Sequence, residues 1–265
     1  MKHTIWLAGI LIMTIQQTAE AAGAYLGDMT WQEAERVLPH KLVIIPFAAG
    51  AKEHGPHLPM NTDHVVMDRL LETAIGERDV IVAPPVLHGW FPAFRNYPGT
   101  EIADPTIFQN YVKAIAESLV GHGVNRLVFL NTGISNATGL PLSIVARDIR
   151  ADHDVATLVV SWDDLESSEA QALYSQERGG HADEGETSIL LYLRAELVHM
   201  DRATRDYRGE PHTQIGYAPG KFERAEEAGL FGDATLATRE KGERLFTIMQ
   251  RNWLLALDQF AAATQ

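Results

Sequence analysis

Four short, almost wholly apolar runs, Leu42 to Phe47, Val80 to Ala83, Leu127 to Leu130 and Ala156 to Val160, are separated by longer amphipathic stretches. A strand that is apolar at successive positions leaves no face for water, so both of its faces must be covered. Helices alternating with such strands supply that cover. The fold they define is α/β, a three-layer α/β/α sandwich with a mainly parallel central sheet. Sheets of this kind place their sites beyond the carboxyl ends of the strands. With 265 residues, 46% hydrophobic content and no linker-like stretch, charge run or internal repeat, residues 23–265 read as a single domain.

The helices carry their own punctuation. Thr30-Trp31-Gln32-Glu33 has the form of a capping box and opens a short helix ending before Pro39. About fourteen residues from Asp63 onward keep a helical period. Asp104-Pro105 pairs a cap with a proline at the first helical position and starts a long helix to Gly121 or Gly123. Another helix is expected near Leu140 to Arg150. A last one, over 238–261, buries a stripe that includes Leu245, Ile248, Met249, Trp253, Leu254, Leu257 and Phe260.

Directly after the first apolar run, the segment Gly50 to His64 gathers His54, His57 and His64 with Glu53, Asp63 and Lys52. Ionisable groups at the rim of a buried strand lose hydration and persist where a cation, a substrate or a partner charge compensates them. A second reading makes the segment a turn, with Asp63 as N-cap of the next helix. A further polar knot, Gly179 to Ser188, holds His181, Asp183, Glu184 and Glu186 and runs into the apolar stretch Ile189 to Leu193. Asp183 and Glu186 have the spacing of a cap and its reciprocal acceptor, so Glu186 reads as cap or as site. The loop Leu87 to Tyr97 reads either as a wall for a flat polar substrate or as aromatic cover for a neighbouring subunit.

A formal charge of −13 excludes nucleic acid and anionic membranes as natural partners. Residues 1–22 read as an export signal, with Lys2, an apolar core from Ile5 to Met13 and the small-residue exit Ala19-Glu20-Ala21. That core falls short of the roughly 20 apolar residues that span a bilayer. The expectation is an exported protein, periplasmic or secreted, with no membrane contact after cleavage. The chain has no cysteine, so metal ligands must come from His, Asp and Glu.

Three motifs, in this order, resemble the creatininase (creatinine amidohydrolase) family: His54-Gly-Pro-His57-Leu-Pro-Met-Asn-Thr-Asp63, Asn131-Thr-Gly-Ile-Ser-Asn136 and Gly180-His181-Ala-Asp-Glu-Gly-Glu186-Thr-Ser188. Tyr97-Pro-Gly-Thr100 is similar to that family's Phe-Pro-Gly-Thr segment. The likeness extends from about Leu42 to Leu193. It implies a metal-dependent hydrolase of cyclic or linear amides with a creatininase-like fold, assembled as a homo-oligomer, often a hexamer. Three positions depart from the family. Its Glu-Gln-His-Gly is here Lys52-Glu53-His54-Gly55, the imidazole of its Asn-Gly-His is replaced by Gly133, and a further acid by Ser135. By that resemblance one metal of a two-metal pair has lost its private ligands.

The resemblance therefore implies one divalent ion, zinc first and manganese or iron as alternatives, held by His54, Asp63 and Glu186 with an open position for water. Lys52 would supply the missing positive charge beside Asp63 or stabilise an oxyanion. Glu53 would orient an imidazole or, by a one-residue shift of its loop, serve as a substitute ligand, and His181 would pass a proton to the leaving nitrogen. Trp90, Arg95, Asn96 and Ser135 are the expected contacts to a small-molecule amide. Two other functions fit the same residues: a non-catalytic exported binding protein that keeps the old pocket, and a metal-dependent lactonase.

Overall fold

The computed structural model describes residues 23–133, 135–207 and 228–264; the expected signal segment lies outside the described residues. Strands β1 (Ala24–Tyr25), β2 (Leu42–Phe47), β3 (Val80–Val82), β4 (Arg126–Asn131) and β5 (Ala156–Ser161) form one sheet. Its order is β1-β3-β2-β4-β5, and every neighbouring pair is parallel. The connecting helices are α1 (Trp31–Val37), α2 (Thr62–Glu77), α3 (Pro105–Gly121) and α4 (Ser135–Asp152). After β5 come the short α5 (Trp162–Leu165) and α6 (Ser168–Gln171), then α7 (Glu184–Arg194) and the long α8 (Arg239–Ala263).

Burial on both faces follows directly from the apolar runs. Leu42 and Ile44 of β2 pack into one cluster with Val66 and Leu70 of α2, Ile189 of α7 and Trp253 of α8. Val43, Ile45 and Phe47 point the other way, onto Phe108 and Val112 of α3 and Leu142 and Val145 of α4. The sheet is thus the middle of three layers, as expected. Trp253 has no exposed surface, and its Nε1–H donates to the Leu70 carbonyl at 3.1 Å, which ties α8 to α2. A buried indole needs such a partner to avoid an unpaired donor.

The caps fall largely where the sequence puts them. Thr30 closes a capping box with Glu33, and the Asp104 side chain accepts from Thr106 N and Ile107 N ahead of Pro105. Asp63 is not a cap: Asn61 holds that position, and Asp63 lies buried in the first turn of α2. α4 begins at Ser135 instead of near Leu140. Pro141 sits in the second turn of the helix, where its missing N–H leaves one i→i−4 bond unmade. A two-stranded antiparallel ribbon, β6 (Arg205–Asp206) with β7 (Gly232–Asp233), has no counterpart in the expected elements. Among the described residues, no helix is long and apolar enough to cross a membrane.

Candidate metal centre

β2 and β4 end side by side, Phe47 in register with Asn131, and the loop from Ala48 to Met60 leaves the sheet at that edge. Backbone bonds hold the loop in place. Lys52 N donates to Met60 O at 2.9 Å, and Glu101 N donates to Ala51 O at 2.9 Å. The Glu53 N–H donates to Thr100 Oγ1 at 3.0 Å. The Thr132 hydroxyl donates to the Asp63 carbonyl at 2.9 Å, which fixes the first turn of α2 against the end of β4. These bonds bring Lys52, Glu53, His54 and Asp63 together out of water.

Ligand atoms of His54, His181 and Glu186 all lie within 4.8 Å of one another. The two imidazole rings are 5.1 Å apart between centroids. Glu186 reaches this group from the first turn of α7. The cap of that helix is Asp183, which accepts from Gly185 N at 2.8 Å and Glu186 N at 3.2 Å. Glu186 does not return the bond to Asp183 N; its Oε2 accepts from Ala182 N instead. Cap and site are therefore divided between the two acids.

Of the expected ligands His54, Asp63 and Glu186, the first and last meet His181 in this group, and Asp63 stands beside it: Asp63 Oδ1 lies 3.1 Å from His54 Nε2, and Oδ2 lies 2.7 Å from Lys52 Nζ in an ion pair. Burial works to raise the Asp63 pKa, but Lys52 and His54 overcome it and hold the carboxyl below its ordinary value. Burial pushes Glu186 up to about 8; Lys52 opposes the rise, and the charges of Asp63 and Asp183 add to it.

The donor set suits a cation. His54 stands between two oxygens, with Nδ1 2.8 Å from the Lys52 carbonyl and Nε2 3.1 Å from Asp63 Oδ1. A carboxyl as reluctant to ionise as Glu186 is what a divalent ion would restore to its charged form.

Lys52, only 1% exposed, lies over the rings of Phe91 and Phe94, at 5.5 and 5.6 Å from their centroids. Phe94 also meets the His181 ring at 4.3 Å. These two phenylalanines, absent from the expected site, pack with Ala49 and Tyr97 into a small core of their own. The three-residue spacing of Phe91, Phe94 and Tyr97 is the one signal in the sequence that foretells it. Trp90 is half-buried, while Arg95 and Asn96 are exposed. Ser135 is the first residue of α4, and its side chain is outside the described part of the structure. At Gly133 an added Cβ would come within 3.2 Å of the Phe91 ring.

The chain is an α/β protein with a His/His/Glu group, able to hold a metal ion, at the carboxyl edge of its parallel sheet. The chain belongs to the creatininase family: residues 27–257 match the model of that family, creatinine amidohydrolase. It is 26% identical over 232 residues to a mycofactocin precursor peptide peptidase of Mycolicibacterium smegmatis, covering 84% of this chain and 86% of that protein. The protein of the same name from Mycobacterium tuberculosis H37Rv is 26% identical over 243 residues, with the same shares covered. Among solved structures, a mutant creatininase of the Zn-Zn type superposes with a TM-score of 0.76 at 25% identity, over 89% of this chain and 97% of that one. A manganese creatininase gives 0.74 at 25% identity, over 89% and 98%. These likenesses support a hydrolase with a metal-dependent amidohydrolase fold.

Proposed function

We propose that this chain hydrolyses a C–N bond of a small amide, using one divalent ion held by His54, His181 and Glu186. The observation that carries the reading is the convergence of those three side chains from two distant segments into one buried group. When bound, such an ion polarises an acyl carbonyl and lowers the pKa of water toward ~7. Lys52 pairs with Asp63 and acts on Glu186 as well, so it takes the part of a second cation and offers N–H donors to a developing oxyanion. Phe91 and Phe94 keep bulk water from the ammonium. Restriction to non-peptide bonds is not part of this reading, because the relatives named above act, by their names, on a precursor peptide. Zinc and manganese are both suitable ions. Export and homo-oligomer formation are carried as proposals too, checked by the N-terminus of the secreted protein and by light scattering.

One observation favours a second reading. The Lys52–Asp63 pair already compensates a carboxylate without any metal, as a non-catalytic binding protein would require. Metal analysis of wild type, His54→Ala and His181→Ala, run beside an assay of amine or ammonia release from cyclic ureides, lactams, formamides and short peptides and of acid release from lactones, separates the cases. One ion per wild-type chain, lost in both variants, together with turnover of an amide supports the hydrolase. A wild type that takes up no ion but is thermally stabilised by one of the compounds supports the binder.

A further inference from the structure

From the surroundings of His181 we infer that Glu53 is a positioning residue: it fixes His181 as the Nε2–H tautomer, so that Nδ1 is the nitrogen presented to the metal group. The inference rests on the metal reading above but concerns an arrangement that exists without the ion.

The His181 ring has its Nε2 3.1 Å from Glu53 Oε2 and its Nδ1 3.9 Å from Glu186 Oε2. A neutral imidazole carries one N–H. Were the proton on Nδ1, the Nε2 lone pair would face a carboxylate oxygen at hydrogen-bond distance in a site almost closed to water. With the proton on Nε2, Glu53 accepts it, and the Nδ1 lone pair turns toward Glu186 and His54. The ring cannot turn away from this choice. Phe94 lies against its face at 4.3 Å, and the His181 backbone is paired in both directions with Phe231, at 3.3 and 2.8 Å.

Glu53 is itself held. Its Oε1 accepts from the Gly55 N–H, and its backbone N–H is tied to Thr100. Gly229, two residues before Phe231, closes against it: a Cβ built there would lie 2.1 Å from Glu53 Oε1, and the residue has φ of +71°. Any side chain at 229 would displace the carboxylate, so this glycine is part of the same device. The neighbouring imidazole is held from its other nitrogen: His54 Nδ1 lies 2.8 Å from the Lys52 carbonyl. Adjacent residues in the chain, Glu53 and His54, thus act in turn as holder of one ligand and as the other ligand. Carboxylate–histidine pairs of this form set ligand orientation and basicity at metal sites.

The test uses the whole mature protein without metal. Nitrogen-15 NMR of the imidazoles should show His181 in the Nε2–H form, unchanged in Glu53→Gln, whose amide oxygen still accepts. In Glu53→Ala and Gly229→Ala the His181 signals should report a mixture of tautomers. Zinc titration by calorimetry should then give affinities lowered roughly 10- to 100-fold in Glu53→Ala and Gly229→Ala, with Glu53→Gln nearer wild type. His181 found in the Nδ1–H form in wild type overturns the inference. So does wild-type zinc affinity in a folded Glu53→Ala. A wild type with the expected tautomer that binds no zinc would support the tautomer assignment and overturn the metal reading instead.

Discussion

Lys52 and Asp63 form an ion pair of 2.7 Å in which neither side chain is more than 2% exposed. Removing one partner of a buried pair leaves the other charge without compensation, which typically costs 3–5 kcal/mol, whereas replacing both costs far less. Lys52→Met is therefore expected to lower unfolding free energy by about 3 kcal/mol or more, because Asp63 stays buried and His54 alone faces it. The double variant Lys52→Met/Asp63→Asn should recover much of that loss. Urea unfolding of the three proteins gives the coupling; additive effects would show that the pair is not a unit.

Metal removal should be legible in stability as well as in activity. An ion that binds only the folded chain stabilises it by about 2.7 kcal/mol at a hundredfold excess over its dissociation constant. A chelator is expected to lower the melting temperature of wild type and to leave Glu186→Gln, His54→Ala and His181→Ala almost unmoved. A shift of the same size in all four proteins would place the ion elsewhere.

Much of this was readable in the residues, and the failures have physical causes. The four apolar runs mark β2 to β5 because a strand buried on both faces has almost no other composition available to it. The start of α4 was not readable, since Ser135-Asn136-Ala137-Thr138-Gly139 carries no apolar period. The ribbon of β6 and β7 pairs two residues with two others across a long sequence gap, and no local pattern announces such a contact. Of the candidate group, His54 and Glu186 were legible from residue type and spacing. That His181 comes within 4.8 Å of both, while Asp63 pairs with Lys52, rests on tertiary contacts that no local pattern announces.

His57 supplies a pH dependence. Its ring is fully buried, with Nε2 2.7 Å from Thr187 Oγ1 and Nδ1 without a hydrogen-bond partner. Burial, aided by the charge of His54, lowers its pKa from 6.5 to about 4. Between those values the unfolded chain binds a proton that the folded chain refuses, so stability rises with pH across the window. The contribution is fully present above pH 6.5 and is lost as pH falls to about 4, by up to about 3 kcal/mol. Urea midpoints measured from pH 7 to 4.5 should fall for wild type and fall less for His57→Gln, whose amide can still donate to Thr187. Parallel slopes would remove His57 as the cause.

Gly242 links the long C-terminal helix to the metal group. A Cβ added there would lie 1.8 Å from the Ser188 carbonyl oxygen of α7, a backbone atom that cannot swing aside. α8 therefore approaches α7 as closely as it does only because position 242 has no side chain, and the Ser188 hydroxyl uses that closeness to accept from Thr238 N at 3.2 Å. Glu186 stands two residues before Ser188 on the same helix, with its carboxylate in the group shared with His54 and His181. Overpacking of this kind typically costs 1–3 kcal/mol. Gly242→Ala is expected to destabilise the fold by about that amount and, by pushing α7 away from α8, to weaken zinc binding even though residue 242 belongs to no ligand set. Gly76→Ala, on the surface of α2 where an added Cβ meets nothing within 4 Å, is the control and should leave both properties unchanged. Equal zinc affinity in a folded Gly242→Ala protein would show that Glu186 is placed by its own helix cap and not by the packing of α8.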